Sequence, residues 1–220
     1  MDTMKKIHKS WLIANVAGFW GGFIIGIIII FFLAFYISPM PDRIWAGVIG
    51  FSLGAAVGLG QYLALRSRLS LSNSFIWIFA CAIGLSVGFL VEPSAFRSES
   101  NPITASLILR VLMAGLIAGA IIGILQWLTL RKNYSKVWMW IIANISAGPL
   151  VTTTLLIPVI YYDSHLEKLP KNLGSEYAFI FYGGMCFLLS PLAGLFQGLI
   201  TWIPLRMFLR ERANEDNPAA

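Results

Sequence analysis

Five carboxamides, Asn15, Gln61, Gln126, Asn144 and Gln197, stand inside long apolar runs of this 220-residue sequence. An amide surrounded by hydrocarbon has no water to bond, so it must find a partner in the protein or hold a ligand. Asn15 and Asn144 each follow a tryptophan, Trp11 or Trp140, by four residues; Gln61 and Gln126 each precede an arginine, Arg66 or Arg131, by five. At a rise of ~1.5 Å per residue, all four lie about 6–8 Å inside the ends of their helices. Antiparallel neighbours would therefore bring them to one layer. Two chemistries suit such a layer. Amides that bond one another across helices fix register while contributing on average ~0.6 kcal/mol each. Amides open to a solute make a polar vestibule for a small molecule or a lipid headgroup.

The remaining polar chemistry is sparse. Glu92 ends one apolar run and Arg110 lies just inside the next, toward the same face. The two are expected either to pair within the membrane, where a buried ion needs a counter-ion, or to stay apart with Arg110 snorkelling to the interface. Pro149 and Pro191 interrupt the third hairpin at mid-depth. Each removes an amide donor and kinks its helix, and Thr152, Thr153 and Thr154 are expected to bond the freed carbonyls. A kink can be static or can mark a transport site, and the usual transport pattern needs breaks in corresponding halves. His8 and His165 fall outside the apolar runs on opposite faces, and Cys81 and Cys186 sit in apolar surroundings where a thiol acts as a small hydrophobe. The sequence holds no Cys/His cluster, paired buried carboxylates, nucleophile elbow or phosphate loop, so no enzyme, no metal and no cofactor is expected.

These groups need elements to hold them, and composition says which. The chain is 58% hydrophobic and 12% charged, with mean hydropathy +0.77. Ordinary soluble domains carry about 25% charged residues, so the expectation is an all-α polytopic membrane protein. Six stretches approach the ~20 apolar residues that a bilayer core requires: Trp11–Ile37, Ile44–Leu65, Phe75–Val91, Leu107–Leu130, Val137–Tyr161 and Tyr177–Leu205. The first is too long for the core of a signal peptide and is expected to stay as a span. Lys5, Lys6, Lys9, Arg66, Arg68, Arg131, Lys132, Lys136, Arg206, Arg210 and Arg212 fall on one side, against Arg43, Arg97, Lys168 and Lys171 on the other. The positive-inside rule then puts both termini in the cytoplasm. The net charge of +6 is a topology signal on this reading, and nucleic acid is not an expected partner. Trp11, Trp77, Trp127, Trp138, Trp140 and Trp202 are expected to form an interfacial belt on the cytoplasmic side. Met207–Arg212 is expected to lie on that surface.

Similar words recur along the chain. Trp11-Leu-Ile-Ala-Asn15, Trp77-Ile-Phe-Ala-Cys81 and Trp140-Ile-Ile-Ala-Asn144 open three helices; Gly-Leu-Gly-Gln61-Tyr-Leu-Ala-Leu-Arg66 and Gly-Ile-Leu-Gln126-Trp-Leu-Thr-Leu-Arg131 close two. A third ending keeps Gly194 and Gln197 but reaches Leu205-Arg206 one turn late. The expected organisation of residues 1–220 is a single membrane domain of three tandem hairpins, about 11–66, 77–131 and 140–206, repeated in parallel orientation. Glycines spaced four apart, such as Gly50, Gly54 and Gly58 or Gly115, Gly119 and Gly123, are the packing faces, because small residues let helix backbones approach where lipid supplies no hydrophobic drive.

The G-x-x-Q-[WY]-x-x-L-R and W-x-x-A-N elements resemble those of uncharacterised multi-pass membrane proteins of cyanobacterial type, over all six spans. The resemblance implies architecture and a bacterial source. No known activity attaches to that group, so it implies no site residue. The expected role is a non-catalytic scaffold or accessory subunit in a bacterial inner membrane, plasma or thylakoid, with lipids, other membrane proteins or further copies of itself as partners. The alternative is a channel or carrier for a small solute or lipid, using the polar layer.

Overall fold

A computed structural model describes residues 2–36, 42–67, 74–91, 105–166 and 175–215. These residues form six helices and no strand: α1 (Asp2–Tyr36), α2 (Asp42–Leu65), α3 (Ser74–Val91), α4 (Ala105–Leu130), α5 (Trp138–Leu166) and α6 (Ser175–Glu215). Each coincides with one apolar run of the sequence. Four contain stretches long and apolar enough to cross a membrane, Met4–Leu33, Ala46–Leu65, Ala105–Leu130 and Cys186–Arg212, while Phe75–Val91 is a shorter apolar helix. α1 and α6 overrun their apolar stretches at one end of the bundle. There they bury Ile7, Phe208 and Leu209 while Arg210 stays exposed, so Met207–Arg212 continues α6 with one face packed on the bundle and the other open.

The helices pack in chain order, and α6 returns against α1, closing a ring. The interior is built from two apolar clusters. One holds Phe19, Phe23, Leu53, Val57, Leu85 and Phe89. The other, at the end where α1 begins and α6 finishes, gathers Trp11, Trp77 and Trp140 with Leu65, Leu130 and Leu205. Outward faces carry Ile25, Phe31, Phe79, Leu109, Leu188 and Ile203, all exposed. Apolar residues thus line the outside as well as the inside, an arrangement that water-soluble monomers avoid.

What lets the ring close is the absence of side chains at a few crossings. A Cβ on Gly54 of α2 would run into the Cys81 carbonyl of α3, and one on Gly119 of α4 into the Asn144 carbonyl of α5. A Cβ on Gly194 of α6 would stand 2.7 Å from the Asn15 carbonyl of α1. The three crossings are alike: an even-numbered helix meets the odd-numbered helix that follows it round the ring, at the residue four past a buried tryptophan. Backbones in such contact gain dispersion and weak Cα–H···O attraction that survive in lipid.

Gly54→Ala and Gly119→Ala should each cost about 1–3 kcal/mol through overpacking. Gly21→Ala meets nothing within 4 Å and should leave stability unchanged or slightly higher through helix propensity. Thermal unfolding of the three variants in mild detergent reads the difference.

Candidate functional site

Between the two apolar clusters lies a layer of amides, indoles and hydroxyls. Trp11, Trp77 and Trp140 are fully buried and face the ring axis, where Trp140 meets the rings of Trp11 and Trp77 at 6.0 and 5.5 Å between centroids. The expected interfacial belt is therefore wrong for these three. The reason is periodicity: a tryptophan four residues before Asn15, Cys81 or Asn144 shares its helix face, and that face points inward. Trp138, 56% exposed, keeps a belt position, and Arg131 lies 5.0 Å over the Trp127 ring.

A buried indole N–H requires an acceptor, and the amides supply it. Trp77 Nε1 donates to Gln61 Oε1 at 3.2 Å, and Trp140 Nε1 donates to Gln126 Oε1 at 2.8 Å. Each glutamine nitrogen in turn reaches the residue four past the tryptophan of its own hairpin. Gln61 Nε2 donates to Asn15 Oδ1 at 2.8 Å, Gln126 Nε2 to Cys81 Sγ at 3.2 Å, and Gln197 Nε2 to Asn144 Oδ1 at 2.9 Å. Asn15 and Asn144 close back on the carbonyls of Trp11 and Trp140, both at 2.9 Å. Gln126 Nε2 also reaches Gln61 Oε1 at 3.3 Å, and the Cys81 thiol approaches that same oxygen at 3.7 Å. Gln61 is the hub. All five carboxamides singled out by the sequence meet here, with the indoles, Cys81 and Thr201 as additional members.

α6 fills the corresponding place differently. Thr201 stands seven residues past Gly194, as Gln61 follows Gly54 and Gln126 follows Gly119. It is Thr201 Oγ1 that takes the Trp11 indole, at 3.3 Å, shared with the Gly198 carbonyl at 3.1 Å. Leu65, Leu130 and Leu205 then fall at matching fully buried positions. By packing, Leu205-Arg206 keeps register with the other two endings, and Gln197 is the residue displaced, one turn farther from the tryptophans. The sequence carries both registers, Gly194 and Gln197 at the spacing of the other two endings and Trp202-x-x-Leu205-Arg206 as the counterpart of Trp127-x-x-Leu130-Arg131, and the packing follows the second.

Other sequence candidates lie apart from this layer. Arg110 is exposed on α4, and Glu92 lies outside the described residues. Pro149 falls within α5 and Pro191 within α6. The carbonyl freed by Pro191 is that of Phe187, and Ser190 Oγ donates to it at 3.1 Å. The single Thr152 hydroxyl proton has the carbonyls of Val111, Gly148 and Pro149 within reach, and Thr154 Oγ1 donates to that of Leu150. The expected threonine rescue thus falls to a serine at Pro191. His8 is half-buried and stacks on Trp202 with 4.4 Å between centroids. Among the described residues no group of three His, Cys, Asp or Glu side chains could hold a metal ion.

Comparison with known proteins finds no matching family model, no matching curated protein and no matching solved structure.

Removing the hub strands three donors, the Trp77 indole, one Gln126 hydrogen and the Cys81 thiol, and the acceptor Asn15 Oδ1, so Gln61→Leu should lose about 1–3 kcal/mol of stability. A double-mutant cycle of Gln61→Leu with Asn15→Leu should give a coupling of about 0.6 kcal/mol and no more than ~1.7 kcal/mol. Equilibrium unfolding of the four proteins in mixed micelles measures it.

Proposed function

We propose that this chain is a six-span bacterial inner-membrane protein of three tandem hairpins, with both termini cytoplasmic, that serves as a non-catalytic scaffold or accessory subunit of a membrane complex. The single observation that carries the reading is that the amides of the polar layer are bonded chiefly to one another and to the indoles. Gln61, Gln126, Asn15 and Asn144 bond one another, the indoles or their own helices, and the tryptophan and leucine triads cap the layer at one end. A carrier needs polar groups that a solute can reach, and here every carbonyl oxygen of these four amides is already bonded, with room beside them for no more than a water-sized molecule. The role left for the layer is to fix which helix follows which round the ring.

Support for the topology comes from charge. Lys5, Lys6, Lys9, Arg66, Arg131, Lys132, Arg206 and Arg210 are exposed at the tryptophan end, and basic residues resist translocation. The recurrence of like contacts at Gly54, Gly119 and Gly194 supports the repeat. Scaffold partners would be lipids, other membrane proteins or further copies of the chain, met through the exposed apolar faces.

One feature favours a second reading, lipid handling. A groove of about 460 Å³ opens on the outside of α1, α2 and α3, lined by Ile29, Leu33, Ile44, Phe51 and Leu90 with Ser52 and Ser86. Its walls suit an acyl chain.

Tagged purification in mild detergent should recover a stoichiometric protein partner by mass spectrometry. In proteoliposomes the purified chain should give no solute uptake above empty vesicles. Selective uptake abolished by Gln61→Leu and Gln126→Leu would defeat the scaffold reading, and recovery of the lone protein with one enriched lipid would favour lipid handling.

A further inference from the structure

α2, α4 and α6 each place a residue three past the glycine that touches the next helix: Val57 after Gly54, Ile122 after Gly119 and Gln197 after Gly194. The three side chains line one cavity inside the ring, together with Gln61 and Asn144. Two of the three equivalent positions are hydrocarbon; the third is a carboxamide. The cavity offers about 20 Å³ to the centre of a water-sized sphere. A bound water needs roughly 10–15 Å³ by that measure, and two to four polar partners.

The partners are present. Gln197 is 7% exposed. Its Nε2 is used on Asn144 Oδ1, while among the described residues no donor is directed at its Oε1, which retains both lone pairs. Gln61 Nε2 spends one hydrogen on Asn15 Oδ1, and Asn144 Nδ2 spends one on the Trp140 carbonyl; each amide nitrogen carries a second. Set among apolar lining residues such as Phe19, Leu85 and Val151, the three amides therefore have between them an acceptor in need of a donor and donors with a hydrogen to spare. A cation finds one carbonyl among N–H groups here, and an anion finds no charge to balance it. A larger solute does not fit.

We propose that this cavity is a binding site for a single water molecule, which donates to Gln197 Oε1 and accepts from the amide groups of Gln61 and Asn144. The water completes the bonding of the one carboxamide that stands a turn away from its counterparts, and it explains why a polar residue occupies a position that is apolar on α2 and α4. The site does not depend on the scaffold reading.

The test is an experimental structure of the full chain in lipid nanodiscs, at a resolution where ordered waters elsewhere in the protein are seen. The expected result is one isolated peak about 2.5–3.0 Å from Gln197 Oε1, lost in a Gln197→Ile variant that copies the α4 residue. A wild-type map with no peak in the cavity overturns the proposal, and so does a peak that persists in the variant. The wild-type map decides alone if Gln197→Ile does not fold.

Discussion

The structure depends on one constraint: a hydrogen-bonding group enclosed by apolar side chains must be bonded from within the protein. Three fully buried tryptophans bring three indole N–H groups to the axis of the helix ring, and each must find an acceptor there. Gln61 and Gln126 meet two of them, and Thr201 with the Gly198 carbonyl meets the third. Each acceptor lies on a helix adjacent to the one that bears the indole. The bonds therefore tie α2 to α3, α4 to α5 and α6 to α1. Hydrophobic packing alone does not distinguish one order of apolar helices from another, whereas a misplaced amide leaves two groups unpaired.

Close backbone approach makes this bonding reachable. With glycine at 54, 119 and 194, the even-numbered helices sit against the carbonyls of Cys81, Asn144 and Asn15. A glutamine seven residues on then reaches the neighbouring indole with a side chain of ordinary length. Packing and polar bonding thus specify the same neighbours, the agreement between levels that gives a sequence one structure. The matching positions are not identical in chemistry: α3 has Cys81 where α1 and α5 have asparagine, and α6 has Thr201 in the glutamine position with Gln197 one turn toward the middle of the bundle.

Much of this was legible in the residues. Apolar run lengths located all six helices, glycine spacing located the crossings, and the depth of Asn15, Gln61, Gln126 and Asn144 located the layer. The inward turn of Trp11, Trp77 and Trp140 was not read, because a tryptophan near a helix end suits an interface equally well; its four-residue spacing from Asn15, Cys81 and Asn144 carried the signal. Cys81 looked like a small hydrophobe and instead replaces an asparagine as partner to Gln126. Gln197 was legible as a member of the layer but not in its register, since one glycine-to-glutamine spacing cannot tell a turn of displacement from a true match. The buried face of Met207–Arg212 was not legible, because Arg206, Arg210 and Arg212 surround Phe208 and Leu209 and hide the apolar face that packs with Ile7 and Tyr134.

The central claim is ring closure, the seating of α6 against α1. Trp20 and Phe187 mark that seam, with 5.2 Å between ring centroids. The direct measurement is cross-linking of a Trp20→Cys, Phe187→Cys chain in native membranes by a short bifunctional thiol reagent, with Cys81 and Cys186 replaced by alanine. Closure predicts a rapid intramolecular link that leaves the chain monomeric and shifts its mobility on a denaturing gel. Links found only between chains, or none at all, would contradict it.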